Sequence, residues 1–208
     1  LVDPGEALPP SDERALNRFQ NAADELGIRT DRITRDDLGR IAEFDGLFIR
    51  ATTSVNHFTF RFSRRAAAEG LVVIDDPDSI LRCTNKVFLA EILTRHRVPT
   101  PRTVILHRDN WAQAMETLGF PMILKLPDSS FSQGVVRVAD PDSFKERVRA
   151  FQEGSDLLIA QEFLPTEFDW RICVLNREIL FAARYHMARG HWQIIHGDGG
   201  TETRYGGV

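Results

Sequence analysis

The sequence lacks the features that mark several common functional classes. Its 208 residues contain no apolar run near the roughly 18 residues of a membrane-spanning helix. The net charge of −4 gives no basic surface that would favour nucleic acid or a membrane as a partner. The two cysteines lie far apart and form no metal or redox motif, so a reducing cytoplasm is the expected compartment.

Two familiar nucleotide-binding motifs are also absent. The chain contains neither the G-x-G-x-x-G of dinucleotide-binding folds nor the G-x-x-x-x-G-K-[ST] of P-loop proteins. It has no internal repeat and no low-complexity segment. The composition, 42% hydrophobic and 27% charged, is that of an ordinary globular protein.

The first 80 or so residues alternate between strand and helix patterns. Helices are predicted from a cap at Ser11 to Leu26, over 36–44 and over 54–69, and strands over 28–34, 46–50 and 71–74. This alternation predicts a parallel, doubly wound sheet. The acidic, proline-containing stretch 75–78 marks the expected domain boundary.

The second half has a mixed pattern in which antiparallel pairing is expected. Helices are predicted over 85–96, 110–118 and 140–152. The Asn176-Arg177 pair is typical of a hairpin turn. Strands are predicted over 103–107, 122–126, 135–139, 156–161, 170–175, 178–185 and 191–196.

The most informative stretch is 119–140, GFPMILKLPDSSFSQGVVRVAD, which predicts a strand, a polar loop and a strand. Lys125 stands inside an apolar run, although a buried lysine is costly without a partner. The loop that follows offers hydroxyl groups, backbone N–H groups and Gly134, which can adopt a positive φ. A di- or triphosphate would suit this arrangement. An edge strand whose lysine reaches water is the open alternative.

Three other places could belong to the same site. Lys86 stands at the head of a predicted helix, and residues 161–164 end a strand where backbone groups and an aromatic ring could meet a flat heteroaromatic base. Asp169 and Arg171 share one strand face, and Arg184 lies on the next strand. The alternatives are a solvated lysine, a plain strand end and an ordinary cross-strand ion pair.

In this order, these pieces resemble the ATP-grasp ligases of the RimK-like, ribosomal-protein glutamate ligase group. The resemblance covers nearly the whole chain. It rests on RCTNK at 82–86, VPTPRT at 98–103, GFPMILK at 119–125, SFSQG at 130–134, QEF at 161–163 and FDWR at 168–171. It implies an α/β protein with a doubly wound pre-ATP-grasp domain over 1–82, followed by an α+β ATP-grasp fold. That fold would have a small lobe over 83–156 and an incomplete large lobe over 157–208, because both ends of the sequence look cut.

The resemblance also implies a role for each candidate residue. Lys86 and Lys125 would hold ATP phosphates, and Asp169 would lie at the ribose edge. Arg171 and Arg184 would act catalytically by facing the phosphate or acyl phosphate. The remaining residues of the ATP site would be the phosphate-covering loop Ser130, Ser132, Gln133 and Gly134, the adenine hinge Glu162, Phe163 and Leu164, the neighbouring Gln161, and Gln193, where relatives tend to have an arginine.

The implied activity is ATP-dependent joining of a carboxylate to an amine through an acyl phosphate. The amine would be an amino acid, a peptide or a protein terminus. The magnesium ligands of the family, two acids and an asparagine, have no counterpart before Val208, so the piece is expected to bind nucleotide weakly without turnover. A non-catalytic ATP-binding module and a peptide ligase of the same fold are the alternatives, and homo-oligomer formation is open.

Overall fold

The computed structural model describes residues 1–7, 9–128, 134–188 and 190–194, together with the backbone of 205–207. The chain divides into two compact units, Leu1–Ile92 and Leu93–Val208. The domain limits expected from the sequence, near 82 and 156, stay predictions. Within the ranges above, no helix has both the length and the apolar character needed to cross a bilayer.

The first unit is built around a short parallel sheet. Its strands β1 (Gly46–Phe48) and β2 (Val72–Ile74) pair in parallel and are connected through helix α2 (Phe58–Ala68). Buried residues of the sheet and the helices form its core, among them Ile41, Leu47, Phe62, Ala66 and Ile80. The other elements are α1 (Glu13–Glu25), a 3₁₀ helix (Arg35–Glu43), α3 (Pro77–Thr84) and α4 (Lys86–Arg95), which continues into the second unit.

Two sequence-based assignments in this unit are wrong. Residues 28–34 form no regular strand, although the Ile33 carbonyl accepts a 3.0 Å hydrogen bond from the Val2 N–H. This segment is polar, and its Arg32 guanidinium instead binds side chains of α1. Residues Pro77–Thr84, for which no helix is predicted, form α3, because Asp76 accepts a hydrogen bond from the Ser79 N–H and Pro77 stands in the first turn.

A smaller correction concerns the first helix. Asp12, and not Ser11, caps α1 by accepting a 2.7 Å hydrogen bond from the Ala15 N–H. Ser11 is buried and its hydroxyl accepts a hydrogen bond from Arg50 Nε. The two residues are both good caps, so local propensity alone did not choose between them.

The second unit contains an antiparallel four-stranded sheet of order β3-β6-β4-β5. The strands are β3 (Thr103–Leu106), β4 (Met122–Lys125), β5 (Val135–Val138) and β6 (Leu158–Glu162). Helices α5 (Trp111–Leu118) and α6 (Pro141–Gln152) cover one face. The core between them includes Leu106, Met122, Leu124, Val138, Phe144, Val148, Leu158 and Ala160.

A second antiparallel sheet follows in the same unit. Strands β7 (Phe168–Leu175) and β8 (Glu178–His186) form a hairpin, and β9 (Tyr205–Gly207) pairs with β8. Asn176 and Arg177 have φ values of 50° and 66°, as a type I′ turn requires, which confirms the predicted hairpin. The strand predicted over 191–196 is wrong for 191–194, where a turn closes through the Ala188 N–H and the Gln193 carbonyl. Residues 195 and 196 lie outside the described part.

We predict that Gly134→Ala lowers the free energy of unfolding by about 1–3 kcal/mol. Gly134 has φ +63°, and a Cβ there would lie 2.7 Å from Leu126 Cδ1 and 3.1 Å from Leu126 Cβ. Gly154→Ala is the matched control, because a Cβ at that position meets nothing within 4 Å. Urea denaturation of both variants checks the prediction, and equal stabilities would contradict it.

Candidate functional site

One face of the four-stranded sheet carries polar side chains, whereas the opposite face is the apolar core. Thr103 pairs directly with Gln161, and Gln161 and Arg137 each pair with Ile123. Directly paired residues share a face, and Lys125 lies two positions after Ile123. Thr103, Gln161, Lys125 and Arg137 therefore lie on the face that α5 and α6 do not cover.

Lys125 is held on this face by the neighbouring strand. Its Nζ donates a 2.6 Å hydrogen bond to Gln161 Oε1. Burial lowers the pKa of Lys125, and the nearby Asp169 carboxylate opposes that shift by favouring the charged form. The edge-strand alternative is wrong, because β4 lies between β6 and β5. Lys125 is thus a partly buried ammonium within a sheet.

The loop after Lys125 is closed at its base. The Leu126 N–H donates a 2.9 Å hydrogen bond to the Gly134 carbonyl, so the chain returns beside the point where it left the strand. The positive φ of Gly134 permits this return. The predicted roles of Ser130, Ser132 and Gln133 fall on residues outside the described part.

Arg102 binds Glu162, the last residue of β6. The Glu162 carboxylate accepts two 2.7 Å hydrogen bonds, one from the Arg102 backbone N–H and one from Arg102 Nε. Arg102 Nη1 also donates to the Thr117 carbonyl at the end of α5. These contacts lower the pKa of Glu162 below its ordinary value. In the sequence Arg102 stands out only as part of the motif VPTPRT. Its partner Glu162 follows only from the register of β3 against β6.

The two residues after this strand end differ in their surroundings. The Phe163 ring lies under the Arg137 guanidinium, with the guanidinium carbon 4.6 Å from the ring centroid. The Trp192 ring packs nearly perpendicular to the same ring, with 6.1 Å between the two centroids. Leu164 is 54% exposed. The expected adenine hinge therefore combines a fixed aromatic ring with an exposed apolar side chain.

The structure does not bring the two candidate catalytic arginines together. Asp169 and Arg171 lie on one face of the β7–β8 hairpin, and Asp169 is the residue that acts on Lys125. Arg184 pairs with Trp170 on the other face, where its guanidinium lies 5.0 Å from the Phe168 and Trp170 ring centroids. Only Arg171 thus shares the face that carries Asp169.

An irregularity in the hairpin explains this separation. Near the turn, Leu175 pairs with Glu178 and Val174 with Ile179, but Cys173 pairs with Phe181. Leu180 is therefore an extra residue, and it shifts the register by one. Without this bulge, Arg184 would stand opposite Asp169, on the face that the sequence interpretation assumed.

Two further candidates, Lys86 and Gln193, are on other elements of the chain. Lys86 is the first residue of α4 and is half-buried, and Asn85 caps that helix by accepting hydrogen bonds from the Val87 and Phe88 N–H groups. Lys86 belongs to the first unit. The Gln193 backbone N–H donates to His191 Nδ1, which fixes the turn that Gln193 closes.

The described residues do not supply a metal site. Across those ranges, no group of three or more His, Cys, Asp or Glu side chains is arranged to hold an ion. The chemistry of this sheet face is that of a partly buried ammonium, a guanidinium and a side-chain amide, which suits anionic ligands.

Comparisons with known proteins identify the family and the fold of the chain. The profile of the RimK-like ATP-grasp domain matches residues 83–202. The alpha-aminoadipate–LysW ligase LysX of Saccharolobus solfataricus is 31% identical over 60% of this chain and 47% of its own length. A probable alpha-L-glutamate ligase of Teredinibacter turnerae is 24% identical over 81% of this chain and 58% of its own length. A RimK-domain ATP-grasp structure from Sphaerobacter thermophilus superposes with a TM-score of 0.59 at 17% identity, covering 74% of this chain and 58% of that one.

The chain belongs to the RimK-like ATP-grasp family, because the family profile matches more than half of it. Its α/β architecture is that of ATP-grasp proteins, as the structural likeness shows. The chain spans about half the length of the curated relatives it matches.

We predict a pH-dependent effect of Glu162→Gln on stability. The folded-state pKa of Glu162 is lowered, chiefly by the hydrogen bond from the Arg102 N–H and next by that from its side chain. Its stabilising contribution is therefore present above the unfolded pKa, near 4.5, and is lost as pH falls through the folded pKa. The variant should be less stable than wild type near pH 7, and the gap should shrink as the pH falls below 4.5.

Urea denaturation across this range tests the Glu162 prediction. Glu146→Gln, which changes an exposed carboxylate on α6, is the control and should show no such trend. A Glu162→Gln deficit that is constant with pH would count against the ion-pair interpretation.

We also predict that Arg171 and Arg184 contribute unequally to ATP binding. Arg171→Ala should weaken ATP binding about ten-fold, as loss of a charge-assisted contact to phosphate would. Arg184→Ala should change it by less than about two-fold, because that guanidinium lies on the other hairpin face. Calorimetric titration measures both, and a larger loss for Arg184→Ala would contradict the placement.

Proposed function

We propose that this chain is the nucleotide-binding part of an ATP-dependent carboxylate–amine ligase. The observation that carries the proposal is the Lys125 ammonium, held by Gln161 beside the end of β6 on the sheet face that α5 and α6 do not cover. A lysine ammonium has three N–H donors, and Gln161 accepts from only one of them. Phosphate oxygens are acceptors of the required charge.

The adenine moiety would lie against the end of β6. Phe163 offers a ring there, and Leu164 offers an exposed apolar side chain. Arg102 holds the Glu162 carboxylate, so the hinge is supported before a ligand arrives. Such preorganisation reduces the entropy lost on binding.

The proposed reaction has two steps. A substrate carboxylate oxygen attacks the γ-phosphorus of ATP, the bond to the β,γ-bridging oxygen breaks, and an acyl phosphate and ADP result. An amine then attacks the acyl carbon, phosphate leaves, and an amide bond remains after the amine loses a proton. Lys125 and Arg171 would bind and orient phosphate oxygens in this scheme.

Family membership narrows the substrates that we propose. The names of the relatives above refer to alpha-aminoadipate and to glutamate, which are both acidic amino acids. We propose an acidic amino acid as one of the two joined molecules. Magnesium is expected with ATP in this family; the described residues contain no group of three or more potential ligands for it, and no step is assigned to it.

We predict that adenine nucleotides raise the melting temperature of the chain. Ligand at ten times its Kd adds about 1.4 kcal/mol to the free energy of unfolding. For a chain of this size that raises Tm by roughly 3–5 °C. ADP, ATP and GTP should be compared in the presence of magnesium, and the rise should be selective for adenine.

The sequence contains a matched control for this measurement. Only three lysines occur among the 26 basic residues, and Lys145 is exposed on α6. At the same nucleotide concentration Lys125→Ala should sharply reduce the nucleotide-induced rise, whereas Lys145→Ala should keep it. An equal rise in both variants would contradict the proposed role of Lys125.

A further inference from the structure

We propose that Thr103 is a positioning residue of this site: it fixes the Gln161 amide, which in turn holds the Lys125 ammonium in place. The inference rests on the proposed function, because it explains how the lysine that would bind phosphate is held in position. Thr103 does not itself contact the lysine, so it acts only through Gln161.

The hydrogen bonds form a directed chain. The Thr103 hydroxyl donates its proton to the Pro101 carbonyl, with 2.8 Å between the oxygens. Because the hydroxyl proton points to the Pro101 carbonyl, Thr103 Oγ1 acts as the acceptor of a 2.9 Å hydrogen bond from Gln161 Nε2. The other end of that amide, Oε1, accepts the 2.6 Å hydrogen bond from Lys125 Nζ.

Each link determines the direction of the next. A side-chain amide has one accepting and one donating end. If the Gln161 amide were reversed, its NH₂ group would face the Lys125 ammonium and its oxygen would face Thr103 Oγ1, whose proton is used elsewhere. Both contacts would then be lost. Thr103 therefore selects the amide orientation that presents an acceptor to Lys125.

The strand register makes this chain possible. Thr103 stands directly opposite Gln161 in the β3–β6 pair, and Gln161 stands opposite Ile123 in the β4–β6 pair. Lys125 lies two residues beyond Ile123 on the same face. Three adjacent strands thus each contribute one polar side chain at neighbouring positions.

The arrangement suits a lysine that must bind an anion. A flexible four-carbon side chain loses rotational freedom when it is fixed, and fixing it beforehand removes that cost from binding. Only one of the three ammonium donors is used by Gln161. The charge remains available, with Asp169 favouring the protonated form.

Nuclear magnetic resonance tests the positioning without any nucleotide. With ¹³C-labelled lysine the three lysines give three ε-methylene signals, which Lys125→Arg assigns and for which exposed Lys145 supplies the mobile reference. In wild type the two ε-protons of Lys125 should have distinct shifts, as in a fixed side chain. In Thr103→Val they should merge and approach the Lys145 values, whereas Thr103→Ser should retain the wild-type signature.

Ile105→Val is the control for loosened packing, because Ile105 lies on the same face of β3 two residues after Thr103. It should leave the Lys125 signals unchanged. Unchanged Lys125 signals in Thr103→Val, or merged signals already in wild type, would overturn the positioning role.

Nucleotide binding supplies the second readout. Thr103→Val should weaken ADP binding about five-fold, the effect of one hydrogen bond, and Thr103→Ser should restore it. In the Lys125→Ala background Thr103→Val should have no further effect, because its route to the ligand is gone. Additive losses would overturn the inference. Absence of nucleotide binding in wild type would defeat the proposed function, while the lysine signals would still decide the role of Thr103.

Discussion

A lysine ammonium that loses its contacts with water needs hydrogen-bond acceptors from the protein. The arrangement of side chains around Lys125 in the second unit meets this requirement. Lys125 stands on an interior strand, where burial lowers its pKa, and Gln161 supplies an oxygen 2.6 Å away. A buried lysine of this kind is a poor choice for stability alone, since a well-packed apolar residue would cost less. Its presence among so few lysines is best explained by an anionic ligand.

The surrounding structure supports that residue from three directions. The apolar face of the sheet packs against α5 and α6, which gives the polar face a rigid base. Gly134 returns the chain beside Leu126, so the loop begins and ends next to Lys125. Arg102 and Thr103, neighbours at the start of β3, hold the neighbouring pair Glu162 and Gln161. The nucleotide proposal thus depends on fixed side chains of the sheet.

The sequence predicted those elements that depend on local patterns and family motifs. The strand with Lys125, the strand ending in Gln161 and Glu162, and the Asn176–Arg177 hairpin are all present. The sequence pattern does not predict helix α3, although its Asp76-Pro77 start matches the Asp140-Pro141 start of α6. The stretch 28–34 was overpredicted, because apolar residues at its ends concealed a polar middle. These errors come from weighing local composition without tertiary context.

The face of Arg184 could not have been predicted from spacing. Counting from the turn places it with Asp169, and one extra residue at Leu180 moves it to the opposite side. A bulge has no dependable local signature, yet it reverses every side chain beyond it. The partners of Arg102 and Thr103 likewise depend on register across 60 and 58 residues of chain.

The most direct test of the account is affinity labelling with an ATP acyl-phosphate probe, which acylates lysines that lie near bound phosphate. The account predicts labelling of Lys125, suppression of that labelling by excess ATP, and background labelling of Lys145 that ATP does not change. Labelling of Lys125 at the level of Lys145, or labelling that ATP does not suppress, would contradict the claim that Lys125 binds the phosphates of ATP.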